Sequence, residues 1–136
     1  MSKDWEKDVR EFMTDVAIHK LPAYPQIPSY KIRQLSIALI KEEVNEELIP
    51  ALEKCDLSEI ADGGIDSIVV ILDALAFFGI YVQPIWDEIH RTNMLKKGGK
   101  FREDGKLLKP EGWKPPEIEA IIEAQIQEGK SNAKKQ

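Results

Sequence analysis

Apolar residues recur at three- and four-residue steps through most of this chain, a spacing that predicts helices. Trp5, Val9, Phe12, Met13 and Val16 fall on one side of a first amphipathic helix, from Asp4 to about Ala17. Pro22, Pro25 and Pro28 then hold an extended connector, because each removes a donor and disfavours helix in the residue before it. Ser29 is placed to cap a long second helix reaching about Leu52, with Pro50 expected to kink it or end it early. After a short turn over Lys54–Ser58, Asp56 or Ser58 caps a third helix, which stops at Gly79. A fourth begins near Gln83 or Pro84 and runs to about Leu95. Gly98, Gly99, Gly105, Pro110, Gly112, Pro115 and Pro116 predict a loop with turns. A last helix covers about Pro116 to Gln127. No segment reads as a strand. The expected fold is all-α, four main helices plus a C-terminal one, in a single domain over 1–128 with a disordered tail at 129–136.

The polar positions break the ordinary amphipathic pattern in two places. In the second helix Ile32, Leu35 and Leu39 form a stripe that continues as Glu42, Glu43 and Glu46, while Ile40, Val44, Leu48 and Leu52 carry the core opposite. In the third, Glu59, Asp62, Asp66 and Asp73 follow at steps of three, four and seven. Those steps keep them within about 60° of one another. The rest of that helix is apolar or small, including Ile60, Ile65, Ile68, Val69, Val70, Ile71, Leu72 and Leu75. A connection this short makes the two helices antiparallel neighbours, so both carboxylate sets can face one gap. Gly63 and Gly64 inside the third helix cost roughly 1 kcal/mol each relative to Ala. They are tolerable where another backbone or a ligand comes close.

Charge sharpens this picture. From Glu42 to Glu88 there are twelve acids against one base, Lys54; from Arg91 to Lys114, eight bases against three acids. Like charges three or four residues apart cost about 0.2–0.5 kcal/mol per pair. A metal ion is the simplest cation to supply what the acidic stripe lacks. Carboxylates with no His or Cys among them form a hard-oxygen site suited to Mg²⁺, with Mn²⁺ as substitute. Beside a basic segment, the pairing points to a metal-complexed polyphosphate, and two bridged ions could activate a water for in-line displacement. The competing reading is a non-catalytic acidic helical module that docks a basic partner. His19 and His90 are isolated and read as surface or structural residues. Trp5, Phe12, Tyr24 and Trp113 are candidate walls for a base, though core or tail packing is the commoner use of such residues. The lone Cys55 forms no intrachain bridge, and no Ser-His-Asp triad, Walker loop or GxGxxG fingerprint is present. With a charged start, no long apolar run and a net charge of −5, a soluble cytoplasmic protein that binds neither nucleic acid nor membrane is expected.

Glu42-Glu43-Val44-Asn45-Glu46 is an EExxE motif and Glu59-Ile60-Ala61-Asp62 an ExxD motif. Together they resemble the signature of the all-α nucleoside triphosphate pyrophosphohydrolases, the MazG-like superfamily that includes dimeric dUTPases and phosphoribosyl-ATP pyrophosphohydrolases. Glu88–Lys96 and Arg102–Trp113 look like the branch carrying an HRxNxxK stretch followed by DGKxLKPxGW. The resemblance spans about Val9 to Ile122. It implies Mg²⁺-dependent hydrolysis of a (deoxy)nucleotide between the α and β phosphates, giving monophosphate and pyrophosphate. It also implies a homodimer or homotetramer. Carried across, Glu43 and Glu46 would be metal ligands, and Glu42 a ligand or water-activating base. Asn93 and Lys96 would contact phosphates or sugar, supported by Arg102, Lys106 and Lys109. Many relatives place the ExxD aspartate directly before an apolar run like Ser67–Val70, a register that puts it at Asp66 and its partner acid at 63, here Gly63, for which Asp62 can substitute, so the pair is Glu59 with Asp62 or Asp62 with Asp66. Asp62 with Asp66 is the preferred pair, and Asp73 is an extra, structural acid. Phosphoribosyl-ATP pyrophosphohydrolase is the alternative within the same chemistry.

Overall fold

The computed structural model describes residues 4–135. Among them there is no β-strand, and the chain is all-α. The Asp4 carboxylate caps α1 (Trp5–Glu11) by accepting from the Lys7 N–H at 3.0 Å, and the helix runs into a π-helical turn over Phe12–Val16. Ser29 caps α2 (Tyr30–Ile40), accepting from the Ile32 N–H at 3.3 Å. A π-helical segment, Lys41–Leu48, continues α2 directly into α3 (Ile49–Lys54). Cys55, in the left-handed conformation, ends that rod, and Asp56 caps α4 (Leu57–Phe77) by accepting from the Glu59 N–H at 3.1 Å. The chain then bends by 116° into α5 (Val82–Met94). After a turn-rich segment holding one isolated bridge, Phe101 with Leu107, comes α6 (Ile118–Lys134).

Three expectations change. Pro50 does not end its helix: the wide turns stop just before it, with the Ile49 N–H still bonded to the Val44 carbonyl five residues back. The donor that Pro50 lacks thus falls where the helix returns from one register to the other. Residues 129–134, expected as part of a disordered tail, are helical as the end of α6, and Gln136 lies outside the described residues. The first helix buries only Val9 and Met13; Trp5, Phe12 and Val16 stay more than half exposed, as does Leu52 of the second rod.

Val9 and Met13 pack with Ala76 and Phe77 at the far end of α4, flanked by Leu21, Ile32, Leu35, Val69, Leu72 and Phe78. Burying a side chain of this size contributes about 1.5–3 kcal/mol. The corner between α4 and α5 is held from two sides. The Val82 N–H donates to Glu6 at 2.8 Å, Arg10 donates to the Ile80 carbonyl at 3.1 Å and stacks on Tyr81, and the Gln125 amide pairs both ways with the Tyr81 backbone at 2.9 Å. No single helix among the described residues is long and apolar enough to cross a membrane.

Gly79, at φ +73, closes this corner against the connector, where a Cβ would overlap the Tyr24 carbonyl oxygen. Gly64 meets only the tip of Leu48, at 3.9 Å. Gly79→Ala is therefore expected to destabilise the fold by about 1–3 kcal/mol, whereas Gly64→Ala should gain up to about 1 kcal/mol of helix propensity. Urea melts of the two variants check the contrast, and shifts of the same sign would contradict it.

Candidate active site

The π-helical segment and α4 run side by side at close quarters. Gly63 makes this possible: a Cβ there would stand 3.2 Å from the Leu48 backbone. Ser67, buried one turn on, donates its hydroxyl to the Gly63 carbonyl at 2.6 Å, so its polar atom is satisfied within α4. The second backbone that the glycine pair called for is thus Leu48.

Between the two elements lies a cleft of about 250 Å³ lined by Glu43, Glu47, Glu59, Asp62, Gly63 and Asp66. No Lys or Arg lines it. Glu59, Asp62 and Asp66 all belong to this wall, so the two ligand registers left open by the sequence share one space. Glu42 and Glu46 do not line it; both are exposed. Glu47 does, and sequence reasoning missed it. The physical reason is helical pitch. At 100° per residue, three steps and four steps both return close to the starting face. In a π-helix, bonds reach to i+5 and each turn holds more residues. Three steps from Glu43 then fall well short of a turn, while four come near it. Glu46 rotates away and Glu47 replaces it.

Burial raises the Glu43 carboxyl above its ordinary range, and the charges of Asp66, Glu42, Glu47 and Asp62 push the same way. Proton uptake at Glu43 is thus favoured by its surroundings. As the side chains stand, no three His, Cys, Asp or Glu groups among the described residues converge tightly enough to hold a metal ion.

Next to the cleft, and sharing Glu43 and Asp66 with it, is an apolar cavity of about 370 Å³ between the Phe12–Val16 turn with the residues just after it, α2 and α4. Asp73 and His19 line it as well. Burial raises the Asp73 carboxyl while His19 draws it back down. By sequence His19 reads as a surface or structural residue and Asp73 as a structural acid. The signal that pointed further was an acid held on the carboxylate stripe amid apolar neighbours.

The basic residues gather elsewhere. The Trp113 indole N–H donates to the Thr92 carbonyl at 2.7 Å, tying the turn-rich segment to α5. Lys96 and Lys109 stand 5.2 and 4.9 Å from its ring, and Lys96 donates to Asn93 at 2.9 Å. Arg102 is paired with Asp104 within its own turn, whose carboxylate also accepts from the Lys106 N–H at 3.3 Å. None of Asn93, Lys96, Arg102, Lys106 and Lys109 lines the acidic cleft.

The sequence model of the phosphoribosyl-ATP pyrophosphohydrolase family matches residues 9–93, well over half of the chain. That span holds the whole cleft and cavity and ends at Asn93, leaving Lys96 and the Trp113 segment outside. No curated protein matches the chain significantly.

A carboxylate whose folded pKa is raised binds its proton more tightly in the native state, so stability falls as pH rises through that raised pKa. For Glu43 the window opens just above 4.5, its ordinary value. Glu43→Gln should remove this slope and raise the melting temperature of metal-free protein near neutral pH. Its i,i+4 repulsion with Glu47 alone accounts for about 0.2–0.5 kcal/mol. Melting curves in chelator from pH 4 to 7 measure this, and parallel curves for the two proteins would refute it.

Proposed function

We propose that this chain, which belongs to the phosphoribosyl-ATP pyrophosphohydrolase family and so is a pyrophosphohydrolase of a nucleotide-like substrate, hydrolyses a nucleoside triphosphate between its α and β phosphates with the help of Mg²⁺. The observation that carries this reading is the cleft: five carboxylates from two antiparallel helices, closely opposed, with no protein cation among them. Hard oxygen donors of this number suit Mg²⁺ or Mn²⁺, which dehydrate reluctantly and are completed by phosphate oxygens. Glu43, Asp62 and Asp66 would hold the ion, with Glu59 in support. The fourth acid is Glu46 by motif and Glu47 by cleft lining. When bound, the ion would neutralise polyphosphate charge and acidify a water. Glu43, already shifted toward proton uptake, or the exposed Glu42 beside it, takes the proton of the attacking water. Asn93 and Lys96, with Lys106, Lys109 and Arg102, grip the phosphates and balance charge in the transition state.

Those basic groups stand apart from the cleft within one chain, and the apolar residues Ile65, Ile68 and Ile71 of α4 remain 57, 36 and 44% exposed. Both observations favour an assembly of two or four copies in which the α4 faces are covered and the basic segment of one copy approaches the cleft of another. The family match favours phosphoribosyl-ATP as a second substrate reading, with the same bond cleaved by the same cleft.

A panel of dNTPs, NTPs and phosphoribosyl-ATP, incubated with Mg²⁺ or Mn²⁺ and resolved by chromatography, is expected to yield monophosphate and pyrophosphate. Orthophosphate would mean a different bond is cut, and no turnover of any of them would reject the reading. Asp62→Asn and Asp66→Asn should each lower kcat by at least about 100-fold. Glu46→Gln and Glu47→Gln, compared side by side, show which acid completes the site. Mg²⁺ at 100 times its Kd should stabilise the native state by about 2.7 kcal/mol.

For the assembly, light scattering at micromolar concentration should give two or four times the 15.5 kDa chain mass, falling toward one in Ile65→Asp/Ile68→Asp. A wild-type monomer would count against it.

A further inference from the structure

We infer that the apolar cavity beside the cleft is a nucleobase pocket in which Asp73 accepts hydrogen bonds from a base bearing an exocyclic amine. The inference deepens the reading of the cleft as a polyphosphate site and rests on it for the orientation of the ligand. At about 370 Å³ the cavity falls within the ~300–1,000 Å³ range of small-molecule sites, which are mostly apolar with a few placed polar groups. Met13, Leu35, Leu39, Val70 and Phe77 form its walls, and Phe12, 53% exposed, lies along it where an aromatic ring can cover a base. Glu43 and Asp66 belong to both spaces, so a ligand can pass from cleft to cavity without crossing protein. Asp73 lies seven residues beyond Asp66 on α4, about 10 Å along the helix axis. A nucleotide with its α-phosphate at the cleft thus has its base directed at Asp73.

Asp73 is the polar group lining this cavity whose state the fold leaves unexplained. Its Oδ1 is shut away from solvent and has no hydrogen-bond partner. Buried acceptors are nearly always paired, and an unpaired one calls for a missing donor. The neighbouring His19 packs its ring edge-on against Phe77, with centroids 4.9 Å apart, and donates no hydrogen bond to the carboxylate. An amino group supplies what is missing. Adenine and cytosine present an exocyclic N–H₂ donor at the position where thymine presents a carbonyl acceptor; guanine carries its amine on the opposite edge. Thymine and uracil offer only the imide N3–H, flanked on both sides by carbonyl oxygens that a carboxylate in an apolar setting repels. The pocket therefore selects amino-bearing bases and rejects thymine and uracil.

Metal-free full-length protein titrated with deoxyadenosine, deoxycytidine, deoxyguanosine and thymidine, followed by NMR, tests this without phosphate or turnover. Binding of at least one amino-bearing nucleoside about tenfold or more tighter than thymidine is expected, with shifts at His19, Asp73 and Phe77. Asp73→Asn, which offers both a donor and an acceptor, should erase that preference. Leu39→Trp should fill the cavity and abolish binding of all four, with helicity retained by circular dichroism. Should Asp73→Asn fail to fold, the wild-type ranking and Leu39→Trp together decide. The inference is overturned if no nucleoside shifts these residues, if thymidine binds as well as the others, or if Asp73→Asn keeps the preference. Failure here leaves hydrolysis at the cleft intact, and an inactive hydrolase leaves the nucleoside ranking intact.

Discussion

Two helices that repel each other are held in contact by a patch of backbone with no side chain in the way, and the rest of the site follows from that contact. Gly63 lets α4 settle against Leu48, and the buried Ser67 hydroxyl is satisfied by the Gly63 carbonyl. The repulsion across the cleft is real but small, a few tenths of a kcal/mol for each neighbouring pair of acids in water. The apolar burial beside it, with Val70 and Ala51 both under 10% exposed, is worth more per residue. Burial wins, so the acids are brought together. Burial first, and the mutual field of the acids after it, then raise the Glu43 carboxyl.

The helices themselves were legible from local rules. Asp4, Ser29 and Asp56 cap where a short polar side chain precedes an apolar run, and Gly79 stops α4 where a left-handed residue is required. What could not be read was pitch. Nothing in Lys41–Leu48 distinguishes i→i+5 bonding from i→i+4, because that choice depends on what α4 presses against it. The exchange of Glu46 for Glu47 in the cleft follows from that one local change. The same holds at Phe12–Val16, where a wide turn leaves Phe12 at the surface rather than in the core. Tertiary neighbours, not propensity, also decided the fate of Asp73, since an acid among apolar residues reads as structural until the cavity beside it is seen.

The site is divided by chemistry. One compartment is polar and anionic, the other apolar, and Glu43 and Asp66 stand on the border. Low polarizability on one side of a carboxylate strengthens every interaction it makes on the other. A substrate with a charged end and a flat apolar end would be oriented by this contrast before any specific hydrogen bond formed. The basic cluster around Trp113 is a third compartment, attached to the first two through α5, through the corner that precedes it and through α6, whose Gly129 packs on Tyr24.

That corner gives α5 the character of a lever. Its fulcrum is the short stretch from Ile80 to Val82, gripped by Glu6, Arg10 and Gln125. Thirteen residues of helix give an arm of about 20 Å, so a rotation of about 10° at the fulcrum displaces its tip, and with it Lys96, by roughly 3 Å. A Coulombic contact weakens in inverse proportion to distance, and a hydrogen bond is lost altogether over such a shift. The reach of the basic arm is therefore governed by an amide, a carboxylate and a guanidinium far from any phosphate, and the leverage between them is set by nothing more than helix length.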